Sequence, residues 1–169
     1  MNSDIYLSLG SNSGDRSALI GKAVAALNEI FASHDCTVRV AEPITSMPQG
    51  FDSPNPFVNV GVLVNVKRPG SWTGLQLEAL LGATQAVENF ISGKPHRNPD
   101  GSYRDREIDI DIVAVDDLKY SSPRLTIPHP RMTIRDFVLT PMSQLMPHWV
   151  HPDTGLTAEQ MLVRLKNKQ

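Results

Sequence analysis

The chain has 169 residues, 40% of them hydrophobic, a formal net charge of −2 and a single cysteine, Cys36. That length predicts one domain over residues 1–169 with apolar surface enough for a core, and the small charge offers no global field to recruit nucleic acid or an acidic membrane. A lone cysteine excludes an intrachain disulfide framework and suits a reducing, cytoplasmic setting. Met1 to Asp4 lack the basic and apolar regions of a signal peptide, no apolar run approaches a membrane span, and neither an internal repeat nor a low-complexity tract is visible.

Ile5 to Leu9 reads as a first strand, ending at Gly10-Ser11-Asn12-Ser13-Gly14-Asp15. This loop suggests phosphate binding, yet no Gly-Lys-Ser/Thr follows, and a capped strand-to-helix turn explains it equally well. Leu19, Ile20, Ala23, Val24, Leu27, Ile30 and Phe31 recur at helical spacing and predict an amphipathic helix from about Ser17 to Ala32. Thr37 to Val40 resumes a strand. Ile44 to Pro56 is expected to be a loop, long enough to be functional or mobile.

In Phe57 to Val66 the valines at 58, 60, 62, 64 and 66 form one face, suited to a core. Phe57, Asn59, Gly61, Leu63 and Asn65 form the other. An aromatic, an amide and a glycine make a floor for a flat, hydrogen-bonding heterocycle, or else Phe57 is core and Asn59 a local cap. Pro69-Gly70 turns the chain into a helix from about Thr73 to Phe90. Gln85 and Glu88 share a side of it near its end, where such a pair is ordinarily solvated.

The segment Ser92 to Arg106 carries two glycines, two prolines and the cations Lys94, Arg97, Arg104 and Arg106. It is a charged surface loop, or the mobile basic loop that a polyphosphate substrate needs beside a metal site. It leads into Arg106-Glu107-Ile108-Asp109-Ile110-Asp111-Ile112-Val113, which alternates with a period of two. Ile108, Ile110 and Ile112 cover one face. Asp109 and Asp111 stand on the other with Cα atoms roughly 6.6 Å apart. Two metal ions about 3.5–4 Å apart fit between such carboxylates. A merely solvated face would use Thr or Lys more readily, because Asp is depleted in strands. After an Asp116-Asp117 turn, Leu118 to Tyr120 and Leu125 to Ile127 read as short extended pieces. Pro128-His129-Pro130 breaks the chain, Met132 to Leu139 reads as a helix, and a last helix spans about Thr157 to Leu165.

Four segments together resemble the 6-hydroxymethyl-7,8-dihydropterin pyrophosphokinases of folate biosynthesis. They are Leu9 to Asn12 with Gly14-Asp15, Phe57-Val58-Asn59, Arg106 to Ile112, and Leu125 to Met132 with Arg135 and Phe137 to Leu139. The third and fourth are the specific ones. The resemblance implies an α+β fold, a ferredoxin-like α/β sandwich of helices on an antiparallel sheet. It implies transfer of the terminal diphosphate of ATP to the pterin hydroxymethyl group, with release of AMP. It places Asp109 and Asp111 on two Mg2+ ions, with Phe57 and Phe137 sandwiching the pterin and Asn59 and Ser46 reading its edge. Arg106, His129 and Arg135 would reach phosphates. Gln85, Glu88 and Leu125, Thr126 and Ile127 would lie on the ATP side. The family's tight Arg-x-Arg is absent, so Lys94 and Arg97 are the candidates to replace it, and Tyr103 stands where the family tends to have tryptophan. The expected partners are these small molecules, with neither nucleic acid nor membrane, and the expected state is a monomer. A two-metal phosphodiesterase would use the same aspartates but has no need of an aromatic clamp, and a ferredoxin-like regulatory module would need neither aspartates nor a basic loop.

Overall fold

The computed structural model of the chain describes residues 1–32, 35–68 and 70–169. Pro69, half of the expected Pro69-Gly70 turn, lies outside them; Gly70 takes a φ of 77°. The elements run β1 (Asn2–Ser11), α1 (Arg16–Ala32), β2 (Cys36–Val40), β3 (Ile44–Ser46), β4 (Phe57–Lys67), α2 (Gly74–Ile91), β5 (Asp109–Val115), β6 (Tyr120–Ser121), β7 (Thr126–Ile127), a 3-10 turn (Met132–Ile134), α3 (Asp136–Leu145) and α4 (Ala158–Asn167).

The main sheet is antiparallel, in the order β2-β4-β1-β5. Central β4 has 11 residues, long enough to pair β2 along one half and β3 along the other. β3 overturns the expectation of an unbroken loop from Ile44 to Pro56: Ile44, Thr45 and Ser46 pair with Asn59, Val58 and Phe57. Three residues are too few to show a period, so β3 is set by its partner rather than by its own pattern.

Alternation decides which side chains each face receives. Ile5, Leu7 and Leu9, Val60, Val62 and Val64, and Ile108, Ile110 and Ile112 point to one face. α1 and α2 close it with Ile20, Ala23, Leu27, Leu77, Leu80 and Val87. α2 begins at Thr73 with a reciprocal cap, in which Gln76 N–H donates to Thr73 Oγ1 and Thr73 N–H to Gln76 Oε1. On the opposite face Tyr6, Leu63, Val113 and Ala114 meet Val138, Leu139 and Met142 of α3 and Met161 and Leu162 of α4. A bulge makes that possible: Tyr6 pairs with Ala114 but Leu7 with Ile112, so Val113 is the extra residue and it shares Ala114's face.

The expected helix from Met132 to Leu139 divides into the 3-10 turn and α3, and α3 continues to Leu145 through Pro141. α3 lies directly on Gly61: a Cβ there would stand 2.7 Å from Pro141 Cβ and 2.4 Å from the Tyr6 hydroxyl. Among the described residues no helix is long and apolar enough to cross a membrane.

Candidate active site

α3 and α4 cover only one end of their sheet face. At the other end the strands floor an open cleft. Its floor follows from register. Gly10 of β1 pairs with Asn59 on one side and Asp109 on the other, and Ser8 pairs with Gly61 and Asp111. Gly10 and Ser8 on the middle strand thus leave room beside Asn59, Asp109 and Asp111. At Gly10 a Cβ would lie 3.3 Å from both Asn59 Oδ1 and the Phe57 ring. The walls are Ser46, Met47, Gln49 and Phe51 on one side, Tyr103 and Arg106 on a second, and Arg135 and Phe137 at the start of α3.

The apolar half is ordered by aromatic contacts. Phe51 meets Phe57 edge-on at 6.4 Å and Tyr103 at 6.3 Å with a 36° tilt. Asn59 is buried, and its Nδ2 donates to Ser46 Oγ at 2.8 Å. Buried Asn12 ties the two wall loops together: its Nδ2 donates to the Asn55 carbonyl and to Asp105 Oδ1, and its Oδ1 accepts from the Arg106 N–H. Asn55 Nδ2 closes the set on Asp105 Oδ2 at 2.7 Å.

The charged half is built on β5. Arg106 Nη1 donates to Asp109 Oδ2 at 2.5 Å, and Arg135 Nη1 to Asp111 Oδ2 at 3.4 Å. His129 Nε2 lies 3.9 Å from Asp111 Oδ2. Its Nδ1 accepts the Arg131 N–H, so in the neutral ring Nε2 carries the proton and points toward the aspartates. Burial, then the Arg135 charge, pushes His129 down to about 4. Desolvation, then the neighbouring Asp109, pushes Asp111 up to about 7 against the pull of Arg135 and Arg106. Glu88 reaches round the sheet edge, where its Oε2 accepts the unpaired Ile110 N–H at 3.0 Å; desolvation and then Asp109 push it up to about 8. These carboxylates resist sharing the site as anions, and their hard oxygens suit divalent ions such as Mg2+.

The cleft therefore brings together Ser46, Phe57, Asn59, Tyr103, Arg106, Asp109, Asp111, Arg135 and Phe137. Of the face expected to floor a heterocycle, only its Phe57-Asn59 end does so: Gly61 is under α3 and Leu63 belongs to the core beneath it. The remaining candidates lie outside the cleft. Lys94 pairs with Glu107, and Arg97 stacks on Tyr103 at 4.1 Å. Gln85 is exposed and accepts from Arg124 at 3.0 Å. Leu125 and Ile127 are buried in the core, so they offer a ligand only backbone, whereas Thr126 is exposed. Thr126 and His129 border a separate depression of about 830 Å3. Sequence reasoning missed Met47, Gln49, Phe51 and His96. An aromatic inside a Pro/Gly-rich loop was the available signal for Phe51; His96 had none.

The family model for 7,8-dihydro-6-hydroxymethylpterin-pyrophosphokinase (HPPK) matches residues 6–147. The chain is 39% identical to the 2-amino-4-hydroxy-6-hydroxymethyldihydropteridine pyrophosphokinase of Porphyromonas gingivalis over 150 residues, covering 88% of this chain and 94% of the relative. It is 30% identical to the enzyme of the same name from Bacillus subtilis, covering 98% and 91%. Among solved structures, Plasmodium falciparum HPPK-DHPS with pteroate superposes with a TM-score of 0.68 at 12% identity over 99% of this chain, which spans 45% of that longer one. That likeness speaks for the fold.

Proposed function

The chain belongs to the 7,8-dihydro-6-hydroxymethylpterin-pyrophosphokinase family and carries the pyrophosphokinase activity of folate biosynthesis, and we propose how its cleft performs that reaction. ATP gives its terminal diphosphate to the hydroxymethyl group of 6-hydroxymethyl-7,8-dihydropterin. The alcohol oxygen bonds to the β-phosphorus, the bond from that phosphorus to the α,β-bridging oxygen breaks, AMP leaves, and the alcohol proton is released. Phe57 and Phe137 hold the two faces of the pterin, and Asn59 and Ser46 hydrogen-bond its edge. Met47, Gln49 and Phe51 complete that wall, with Tyr103 as an aromatic lid.

Asp109 and Asp111 would hold two Mg2+ ions, which supply charge neutralisation of the phosphates and alignment of the reacting oxygens. Arg106 and Arg135 lie on these carboxylates and would turn to the phosphate oxygens of bound ATP. Such an arginine is worth about 10³–10⁵ in rate in phosphoryl transfer. His129, neutral and with its proton on Nε2, donates to a phosphate oxygen and leaves no acceptor there for a proton from the alcohol. Holding the alcohol in line with the β-phosphorus contributes up to roughly 7–11 kcal/mol. Gln85, Glu88, Thr126 and the backbone at Leu125 and Ile127 form the ATP side, with Lys94 and Arg97 closing from the basic loop. We further read the 2-4-1-5 order of the main strands as a ferredoxin-like sandwich, and residues 1–169 as one cytoplasmic, monomeric pyrophosphokinase domain.

The observation that carries this reading is that Asp109 and Asp111 share one cleft with Phe57, Asn59 and Phe137. Incubation with Mg2+, ATP and the hydroxymethyl-dihydropterin tests it. AMP formation strictly dependent on the pterin is expected. Phosphate release without pterin would make the site a hydrolase, and no AMP at all would overturn the assignment.

A further inference from the structure

We propose that Glu88, His96 and Asp109 form a divalent-metal site of mixed nitrogen and oxygen character, which takes a first-row transition ion of the Mn2+ or Co2+ class without nucleotide. One donor atom of each residue lies within 4.8 Å of the other two. His96 Nε2 is 3.6 Å from Glu88 Oε2, and His96 Nδ1 is 3.5 Å from Asp109 Oδ1. Three elements converge there: the end of α2, the basic loop and the first residue of β5. Asp109 divides its oxygens, with Oδ2 on Arg106 and Oδ1 toward His96. Glu88 accepts the Ile110 N–H with Oε2, which fixes its carboxylate.

The histidine is placed by the chain around it. Two residues before it Lys94 pairs with Glu107; one residue after it Arg97 bridges to Tyr103 in backbone and stacks on its ring. An imidazole set between two carboxylates, one of them buried, is the donor set of a borderline ion rather than of Mg2+, which prefers oxygen alone. This site shares Asp109 with the Asp109/Asp111 pair but needs neither ATP nor Asp111.

Co2+ titrated into the untagged, nucleotide-free full chain tests it, with Mn2+ pulsed electron paramagnetic resonance reporting directly bound nitrogen. One Co2+ per chain and a nitrogen coupling are expected. His96→Ala should abolish the coupling and weaken Co2+ by at least about tenfold, while Asp111→Asn retains both. No uptake of Co2+ by the wild-type chain overturns the inference and leaves His96 as a bridging imidazole. Uptake without a nitrogen coupling, or unchanged in His96→Ala, overturns it in favour of Asp109 and Asp111 alone. Pterin-dependent AMP formation with Mg2+ is measured separately, so failure of the reaction assignment and failure of this site give different results.

Discussion

The two faces of the main sheet come from the same strands and have opposite fates. On one, Leu7, Val62 and Ile110 are sealed under α1 and α2 in an aliphatic core. On the other, α3 and α4 cover the end around Tyr6, Leu63 and Val113, and leave Ser8, Gly10, Asn59, Asp109 and Asp111 to a cleft. One residue of offset along a strand thus separates a side chain that holds the fold from one that lines the cleft. The first face tolerates no polar group without a partner. The second gathers two aspartates on adjacent inward positions, whose mutual repulsion costs stability unless a cation offsets it.

The sharpest way to test that division is to change one atom on the cleft face. Asp111→Asn keeps the shape and removes the charge, so its thermal midpoint should stay close to wild type. Turnover measured as AMP formation at saturating Mg2+ should fall by at least about 10³, the scale on which charge stabilisation acts in phosphoryl transfer. Normal turnover would place the ions elsewhere. The mirror experiment is Leu7→Ala on the sealed face. Leu7 is fully buried, and its truncation should cost about 2–5 kcal/mol in urea unfolding, with ligand affinities of the remaining folded protein unchanged. Phe57→Ala comes next in size. It should weaken the pterin by about 1–3 kcal/mol, the usual worth of an aromatic stacked on a base, and leave ATP binding largely intact in calorimetry. Equal losses for both ligands would move Phe57 to the structural side.

How far these fates were legible depends on the kind of signal. Alternation over β4 and β5 assigned the valines and isoleucines to the core and the aspartates to the other face, because period two survives folding unless a bulge intervenes. Where one did, at Val113, two consecutive residues share a face, and only the partner strand reveals it. Helical periodicity located α1 and α2 to within a residue of their starts. It fell short at α3, expected over Met132 to Leu139 and observed from Asp136 to Leu145. Gly61 lets that helix sit against the sheet at Pro141, a match between residues far apart in sequence. β3 is too short to carry a pattern. In the site, the residues on strands were found, as were Tyr103, Arg106 and Arg135 on the connections, but Met47, Gln49, Phe51 and His96 were not. Phe51 reaches the cleft through its contacts with Phe57 and Tyr103, and His96 reaches Asp109 only because the basic loop folds back along the edge of β5.

The smallest effect concerns pH, and it distinguishes the faces without any substrate. Burial, then the charge of Asp109, raises Glu88 from its ordinary 4.5 to about 8, with Asp111 adding to the rise and Arg106 opposing it. Over that interval the folded chain keeps a proton that the unfolded chain has released. Stability therefore falls as pH rises, by at most about 1.4 kcal/mol per pH unit for one such group. Asp111, raised to about 7, adds to this fall up to that pH. His96, 3.6 Å from Glu88, and His129 are both depressed from 6.5, so each adds stability as pH rises, but only below its unfolded value. The clean window is therefore pH 6.5 to 8. In chelator and without nucleotide, the wild-type chain should lose urea stability across it. Leu7→Ala should show the same slope from a lower start. Glu88→Gln, which still accepts the Ile110 N–H, should show a shallower one. Superimposable slopes for wild type and Glu88→Gln would mean that Glu88 is already ionised at the sheet edge, and that the charge held on this face is larger than its local cations offset.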